Sequence, residues 1–363
     1  MNLFPSIEKA YTKDTLSARD AQRLAEFIAF GPIVFQASRL MLKFGILERL
    51  RDKPMKLQEV AQAAGLSEYA AKVLLEASLS IGTVIIDAAT DEYHLSKTGW
   101  FLLTDPATRA NIDFNHDVNY EGFFRMEEAL KEGRPAGLEH FGPWPTIYEG
   151  LSSLPKQVQD SWFGFDHFYS DHSFSEALPI VFEHKPRRIM DVGGNTGRFS
   201  QQCVAYDPAV EMAIVDLPQQ IGLMKAATAG DPNAGRIHGF GTNLLDPENG
   251  FPEDIHPDAI WMSQFLDCFS EPQILSILQR AVKVMDSRTR LFIMETFWDR
   301  QKYEPASFCL TMTSLYFTVM ANGNSKMYHS DDMSRLVEEA GLEIEAIHDG
   351  IGQGHSIMVC KKK

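Results

Sequence analysis

The chain has 363 residues, with 34 Lys and Arg against 49 Asp and Glu and a formal net charge of −15 at neutral pH. That length supports two domains with cores of their own. The four cysteines, Cys203, Cys268, Cys309 and Cys360, lack metal-ligand or thioredoxin-like spacing, which predicts a reducing cytoplasm and excludes a disulfide scaffold. The first residues lack the basic start and apolar core of an export signal. The apolar run at 27–35 is short and broken by Gly31-Pro32, so no membrane span is expected.

Residues 27–50 carry Phe27, Phe30, Val34, Leu40, Phe44 and Ile46 at helical spacing, which predicts helices with a broad buried face. A helix over 57–64 should end at Gly65, and Ser67 is a good N-cap for a second helix through residue 80. A small β-wing follows over 81–95, with its turn at Asp91-Glu92. Helix, turn, helix and wing are the layout of a winged-helix module, expected to form a mainly α domain over 1–108. Such modules often read DNA. Residues 1–100, however, hold twelve basic against twelve acidic side chains, and the would-be recognition helix offers only Lys72 between Glu68 and Glu76. Phosphate neutralisation needs more charge than that, so no nucleic-acid partner is expected.

Residues 109–175 form an aromatic-rich helical linker ending in Trp162-Phe163-Gly164-Phe165-Asp166-His167-Phe168-Tyr169. Most such aromatics simply cover a neighbouring domain. From 176 to 363 the pattern alternates. Strands are predicted over 188–192, 210–216, 236–241, 259–265 and 290–295, with helices over 196–206, 218–229, 272–285 and 308–321 between or after them. This is a mostly parallel sheet covered on both faces, with ligands at the carboxyl ends of its strands. A helix over 331–340 leads to strands at 343–348 and 356–360. The short turn between them permits a hairpin and no crossover, so the last strand should run antiparallel.

The most telling run is Asp191-Val192-Gly193-Gly194-Asn195-Thr196-Gly197, followed by Asp216-Leu217-Pro218. It places a glycine turn between strand and helix, and an acid at the end of the next strand. Glycines let the backbone turn tightly against a ligand, and the second carboxylate can accept two hydrogen bonds from a ribose diol. The dinucleotide fingerprint G-x-G-x-x-G is not met, because position 195 is Asn. Two carboxylates without a basic residue suit a ligand with an amino group and a ribose and no phosphate.

This run resembles the D-x-G-G-G-x-G motif of S-adenosylmethionine-dependent small-molecule methyltransferases, with Asn195 in place of the third glycine. Over most of its length the chain resembles the two-domain O-methyltransferases with a winged-helix N-terminal domain, among them plant caffeic acid and bacterial polyketide enzymes. The resemblance implies a Rossmann-like class I methyltransferase domain with a seven-stranded sheet. It also implies a homodimer formed through the N-terminal module, a small-molecule acceptor, and S-adenosylmethionine converted to S-adenosylhomocysteine without a metal. By resemblance Asp191, Gly193, Gly194 and Gly197 serve the cofactor, Asp216 its ribose and Leu217 its adenine. Asn243-Leu244 stands where the family has an acidic and an apolar residue at the adenine amino group, and Ser263 where it often has lysine. The roof of the acceptor pocket falls on Trp162, Phe165 and His167, with Met312, Tyr316 and Met320 as further lining.

The family's general base is the His of L-H-D-W, and here the matching residues are Leu266-Asp267-Cys268-Phe269. Asp267 therefore replaces the His. Of two carboxylates that commonly flank that His, one matches Glu295 and the other falls on Met327. Three readings of Asp267 compete. Its pKa could be raised beside Glu295 so that it serves as base. The acceptor could be nucleophilic enough for proximity alone, leaving carbon or nitrogen acceptors open. The chain could also bind ligand as a sensor without turnover. The histidines His167, His172 and His329 could substitute only if the fold brings them close.

Overall fold

The computed structural model describes residues 3–170 and 172–363, so positions 1, 2 and 171 of the expected domain spans lie outside it. The chain divides into two compact units, Asp14–Asp117 and a second that joins the stretch up to Lys13 to Val118–Lys363.

The Asp14–Asp117 unit is mainly helical. Leu57–Ala64 ends at Gly65 with φ +66°, and the Ser67 side chain accepts the Ala70 N–H to start Glu68–Ile81. A left-handed residue closes the first helix, and a hydroxyl cap opens the second. Strands β1 (Val84–Asp87) and β2 (Glu92–Leu95) then pair antiparallel, Val84 opposite Leu95. Met41, Leu47, Leu50, Val60, Leu75 and Tyr93 form the core. One expectation is corrected. Phe27 and Phe30 are 43% and 57% exposed, because the helix Ala18–Ala29 buries no residue in a single chain. Among the described residues no single helix is long and apolar enough to cross a membrane. The pair Ala18–Ala29 and Gly31–Lys43 passes on length and composition but bends by 76°.

The other unit is built on seven strands: β3 (Arg188–Val192), β4 (Glu211–Asp216), β5 (Ile237–Gly241), β6 (Ala259–Ser263), β7 (Arg290–Glu295), β8 (Leu342–Ile351) and β9 (His355–Lys362). Their order is β5-β4-β3-β6-β7-β9-β8. All neighbours run parallel up to β7, and β9 is antiparallel to both β7 and β8. Alternate residues feed two cores. Ile260 and Met262 face one, with Ile277 and Leu336, and Trp261 faces the other, stacked on Phe199 at 4.3 Å. Burial on both faces is why these strands read as continuous apolar runs.

Three boundaries differ from the sequence reading. β6 stops at Ser263 because Gln264 turns to φ +45°, after which Leu266–Cys268 closes a tight turn. The helix expected over 308–321 starts at Glu304 and ends at Tyr316, widening into a π turn over Phe317–Ala321. The N-terminal stretch belongs with the sheet unit and not with the module expected over 1–108. Ile7 is fully buried there, the Phe4 N–H bonds the Asp299 carbonyl at 3.0 Å, and Tyr11 stacks on Trp298.

Candidate active site

Two clusters form where the parallel strands end. The first is the turn between β3 and the helix Arg198–Tyr206. Gly193 and Gly197 hold φ +72° and +80°, and Asn195 holds φ +48°, values that L side chains with a branched Cβ resist. Gly194 has no room for a side chain: a Cβ there would stand 2.8 Å from Asp191 Oδ2 and 2.9 Å from Ile214. The Phe265 ring lies directly over Gly193. Asp191 sits beneath the turn, 2% exposed, and accepts the Ser200 hydroxyl at 2.6 Å. Burial pushes its carboxyl up to about 7, with Asp216 adding to the rise and Ser200 opposing it.

Asp216 ends β4 and closes the far side of the turn. Its Oδ2 accepts the Asn195 N–H at 2.9 Å, and its Oδ1 accepts the Leu217 N–H at 2.7 Å. Each carboxylate oxygen keeps a further lone pair. The carboxylate is thus pre-aimed, and a ribose diol could take the remaining acceptor capacity. Asn243 is exposed, and its side-chain oxygen already accepts the Leu245 N–H. Leu244, expected at the adenine, is a packing residue instead. It is 6% exposed among Val215 and Phe251, and Arg280 holds its carbonyl. Ser263 ends β6 opposite Met294. The next residue, Gln264, presents a buried side-chain oxygen with no hydrogen-bond partner. A glycine cradle, a poised carboxylate and an empty acceptor fit a nucleoside that carries an amino-acid tail.

The second cluster lies at the ends of β6 and β7. Glu295 Oε1 accepts the N–H groups of Phe265 at 3.1 Å and Leu266 at 2.9 Å, while Oε2 is buried without a partner. Asp267 follows in the same turn, 5% exposed, and accepts the Cys268 thiol at 3.5 Å. Burial pushes Asp267 up to about 6, against the thiol and the backbone N–H groups that favour its charge. Burial and then the Asp267 charge hold Glu295 well above the carboxylate range. Of the two, Glu295 is the one pushed more strongly towards its protonated form, and Oε2 is its oxygen without a partner. Asp267 is the member that ionises.

The loop that carries Asp267 is tied from outside. The Asn322 amide donates to the Cys268 carbonyl at 2.7 Å, and the Tyr328 hydroxyl to the Phe269 carbonyl at 2.6 Å. The matched position Met327 is buried, with its sulfur 3.6 Å from the Thr296 hydroxyl, and supplies no second carboxylate. Neither tie carries a motif. A lone Asn and a lone Tyr some 54 and 59 residues downstream give no signal before the chain folds.

Of the expected acceptor-side residues, the structure joins Trp162 and Tyr316. The indole N–H donates to the buried Tyr316 hydroxyl at 2.7 Å. Burial pushes that hydroxyl's pKa up, against the Trp162 hydrogen bond, with Cys268, Asp166 and Asp267 adding to the rise. Phe165 stays on the Trp162 face of the helix Lys156–Ser170 and meets Tyr169. His167 lies one face round and packs on Phe163 at 5.8 Å. Met312 lies on the helix Glu304–Tyr316 and is 45% exposed. Met320 is buried against Gly122 and Gly137 as packing. His172 is exposed, and His329 caps the helix Ser330–Glu339. Among the described residues no group of three or more His, Cys, Asp or Glu could hold a metal ion. Tyr148, one of many aromatics in the sequence, is the residue that reading missed. It is buried beside Cys268, Tyr316 and Asp267.

A sheet of this order, with an acid–glycine turn on its central strand and a second acid on the neighbouring one, defines a class I methyltransferase domain. Residues 176–343 match the O-methyltransferase domain model and residues 22–93 the Dimerisation2-like domain model. The chain belongs to the S-adenosylmethionine-dependent O-methyltransferase family. Its relatives include demethylspheroidene O-methyltransferase of Cereibacter sphaeroides, 23% identical over 77% of this chain and 72% of that one. Among solved structures, apo SibL superposes with a TM-score of 0.71 at 19% identity, covering 93% of this chain and 98% of its own. NcsB1, solved with S-adenosylmethionine and 2-hydroxy-5-methyl naphthoic acid, gives 0.65 at 19% identity over 92% and 96%.

Proposed function

We propose that the protein transfers the methyl group of S-adenosylmethionine to a hydroxyl of a small aromatic or polyketide-like acceptor, with Asp267 as general base. The observation that carries this is the buried pair at the ends of β6 and β7, in which Glu295 Oε1 is held by two backbone N–H groups and burial raises both carboxyls, Asp267 to about 6. A carboxylate poised there can take a proton from a bound hydroxyl at neutral pH. The acceptor oxygen then attacks the methyl carbon. The C–S bond breaks, the neutral sulfide leaves as S-adenosylhomocysteine, and the proton rests on Asp267. The sulfonium supplies the electrophile. The chain's own residues orient the hydroxyl and exclude water. Aromatic acceptors in the names and titles of relatives, and the Trp162–Tyr316 wall, support a planar substrate.

The cofactor is held by the Gly193–Gly197 turn and Asp216, and no metal is needed in this scheme. The exposed Phe27 and Phe30 and the match to a Dimerisation2-like domain support a homodimer. The four free cysteines support a cytoplasmic location. The test is S-adenosylhomocysteine release with a panel of hydroxylated aromatics. Turnover that Asp267→Asn removes while S-adenosylhomocysteine still binds supports the reading. Cofactor binding with no turnover on any acceptor favours a ligand sensor. Sedimentation of the full chain at micromolar concentration checks the dimer, and a monomer would refute it.

A further inference from the structure

Tyr148 lies in the short helix Ile147–Gly150, and its hydroxyl is buried beside Cys268, Tyr316 and Asp267. It has no hydrogen-bond partner of good geometry, and only the Cys268 thiol stands close enough to interact with it. The thiol alongside it is a weak acceptor and already donates to Asp267. A buried donor left unmade is costly, and such groups in a native fold call for an explanation. Three polar groups therefore converge on one place without being spent on one another. They are an O–H donor on Tyr148, a carboxylate acceptor on Asp267 and the unpartnered Oε2 of Glu295.

We propose that Tyr148 and Asp267 grip the same acceptor hydroxyl from two sides: Tyr148 donates to its oxygen while Asp267 accepts its hydrogen. This inference rests on the O-methyltransferase reading and decides which acceptor atom the site selects. A hydroxyl oxygen has two lone pairs. One can take the Tyr148 hydrogen bond while the other attacks the methyl carbon. As the proton passes to Asp267, charge grows on that oxygen, and the Tyr148 donor stabilises it. A neutral amine has a single lone pair, which cannot both accept from Tyr148 and attack. A carbon nucleophile offers Tyr148 nothing to bond. The pair thus favours oxygen by the count of lone pairs, whatever ring carries it.

The test uses the full-length protein loaded with S-adenosylhomocysteine, with 2-naphthol and 2-naphthylamine as matched probes. Calorimetry is run on wild type and Tyr148→Phe. The expected result is a loss of 2-naphthol affinity of about fivefold to twentyfold, as for one hydrogen bond. S-adenosylhomocysteine affinity stays unchanged, and 2-naphthylamine, whose lone pair is delocalised into the ring and accepts hydrogen bonds poorly, loses less than twofold. The ligand-free variant should melt at or above the wild-type temperature, because the substitution removes an unmade hydrogen bond; a residue that served only the fold would lower it. Equal losses for both probes, an unchanged 2-naphthol affinity, or no 2-naphthol binding by wild type would each overturn the proposal. Failure of the protein to bind S-adenosylhomocysteine at all would instead sink the methyltransferase reading.

Discussion

Two neighbouring stretches of the same sheet edge treat their carboxylates in opposite ways. At β3 and β4 the groups are committed. Asp216 has a backbone N–H on each oxygen, and Asp191 is bonded to Ser200 beneath the turn. At β6 and β7 they are left waiting. Glu295 Oε2, the Tyr148 hydroxyl and the Gln264 oxygen are buried without partners, and Asp267 has only a thiol and nearby backbone N–H groups. The first end is a preformed cradle that the fold itself satisfies. The second stores unmade hydrogen bonds that an acceptor can complete. Binding and chemistry are thereby separated along one sheet edge, and each end should fail in its own way.

The largest effect belongs to the waiting end. Asp267→Asn should lower kcat by about 10²–10⁴-fold, the usual worth of a positioned general base, and leave S-adenosylhomocysteine affinity within twofold. The wild-type rate should rise with pH through about 6 and then level off, because only the ionised Asp267 accepts a proton. In Asp267→Asn that rise should vanish. A variant that kept both the rate and the profile would show that proximity alone drives transfer.

The committed end should respond in stability. The folded Asp191 titrates near 7 and its unfolded reference is 3.8, so the native state binds the extra proton between those values. Stability is fully present at low pH and is lost as pH rises through the folded pKa. Asp191→Asn keeps an acceptor for Ser200 and removes that loss. At neutral pH the ligand-free variant should gain roughly 3–4 kcal/mol by this linkage, shrinking to nothing near pH 4. Denaturant unfolding at two pH values checks it, and an equal gain at both would mean burial of charge is not the cause.

Asp216→Ala strips the partners from the Asn195 and Leu217 N–H groups and removes the ribose acceptor. Cofactor affinity should fall by about 100-fold, roughly two charge-assisted hydrogen bonds. Titration with S-adenosylhomocysteine measures it. A loss below about threefold would place the ribose elsewhere.

This contrast also explains what could be read from the sequence. The strand–turn–helix at 188–206 was legible because left-handed backbone and close approach demand glycine locally, at Gly193, Gly194 and Gly197. The antiparallel hairpin of β8 and β9 was legible from the length of its turn. The β6 end was read as strand to 265 because Phe265 and Leu266 look like strand residues. The positive φ of Gln264 is instead sustained by long-range contacts from Glu295, Asn322 and Tyr328. Tyr148 was hidden for the same reason: a lone tyrosine acquires meaning only when residues 120 positions away fold against it.

The smallest effect sharpens the contrast most directly, since it alters geometry without removing a polar group. Gly194→Ala places a methyl 2.8 Å from Asp191 Oδ2 and 2.9 Å from Ile214, closer than real Cβ contacts allow. Both neighbours sit in the buried floor of the turn, so neither can swing into solvent as a flexible surface side chain would. The turn must shift, at about 1–3 kcal/mol for overpacking, and it carries the Asn195 N–H away from Asp216 as it does so. Affinity for S-adenosylhomocysteine should then fall by several-fold while Asp267 keeps its pH profile with saturating cofactor. If instead the profile moved and affinity held, the two ends would be coupled through Phe265, the ring that lies over Gly193 and begins the Asp267 turn. The separation of cradle from chemistry would then be wrong.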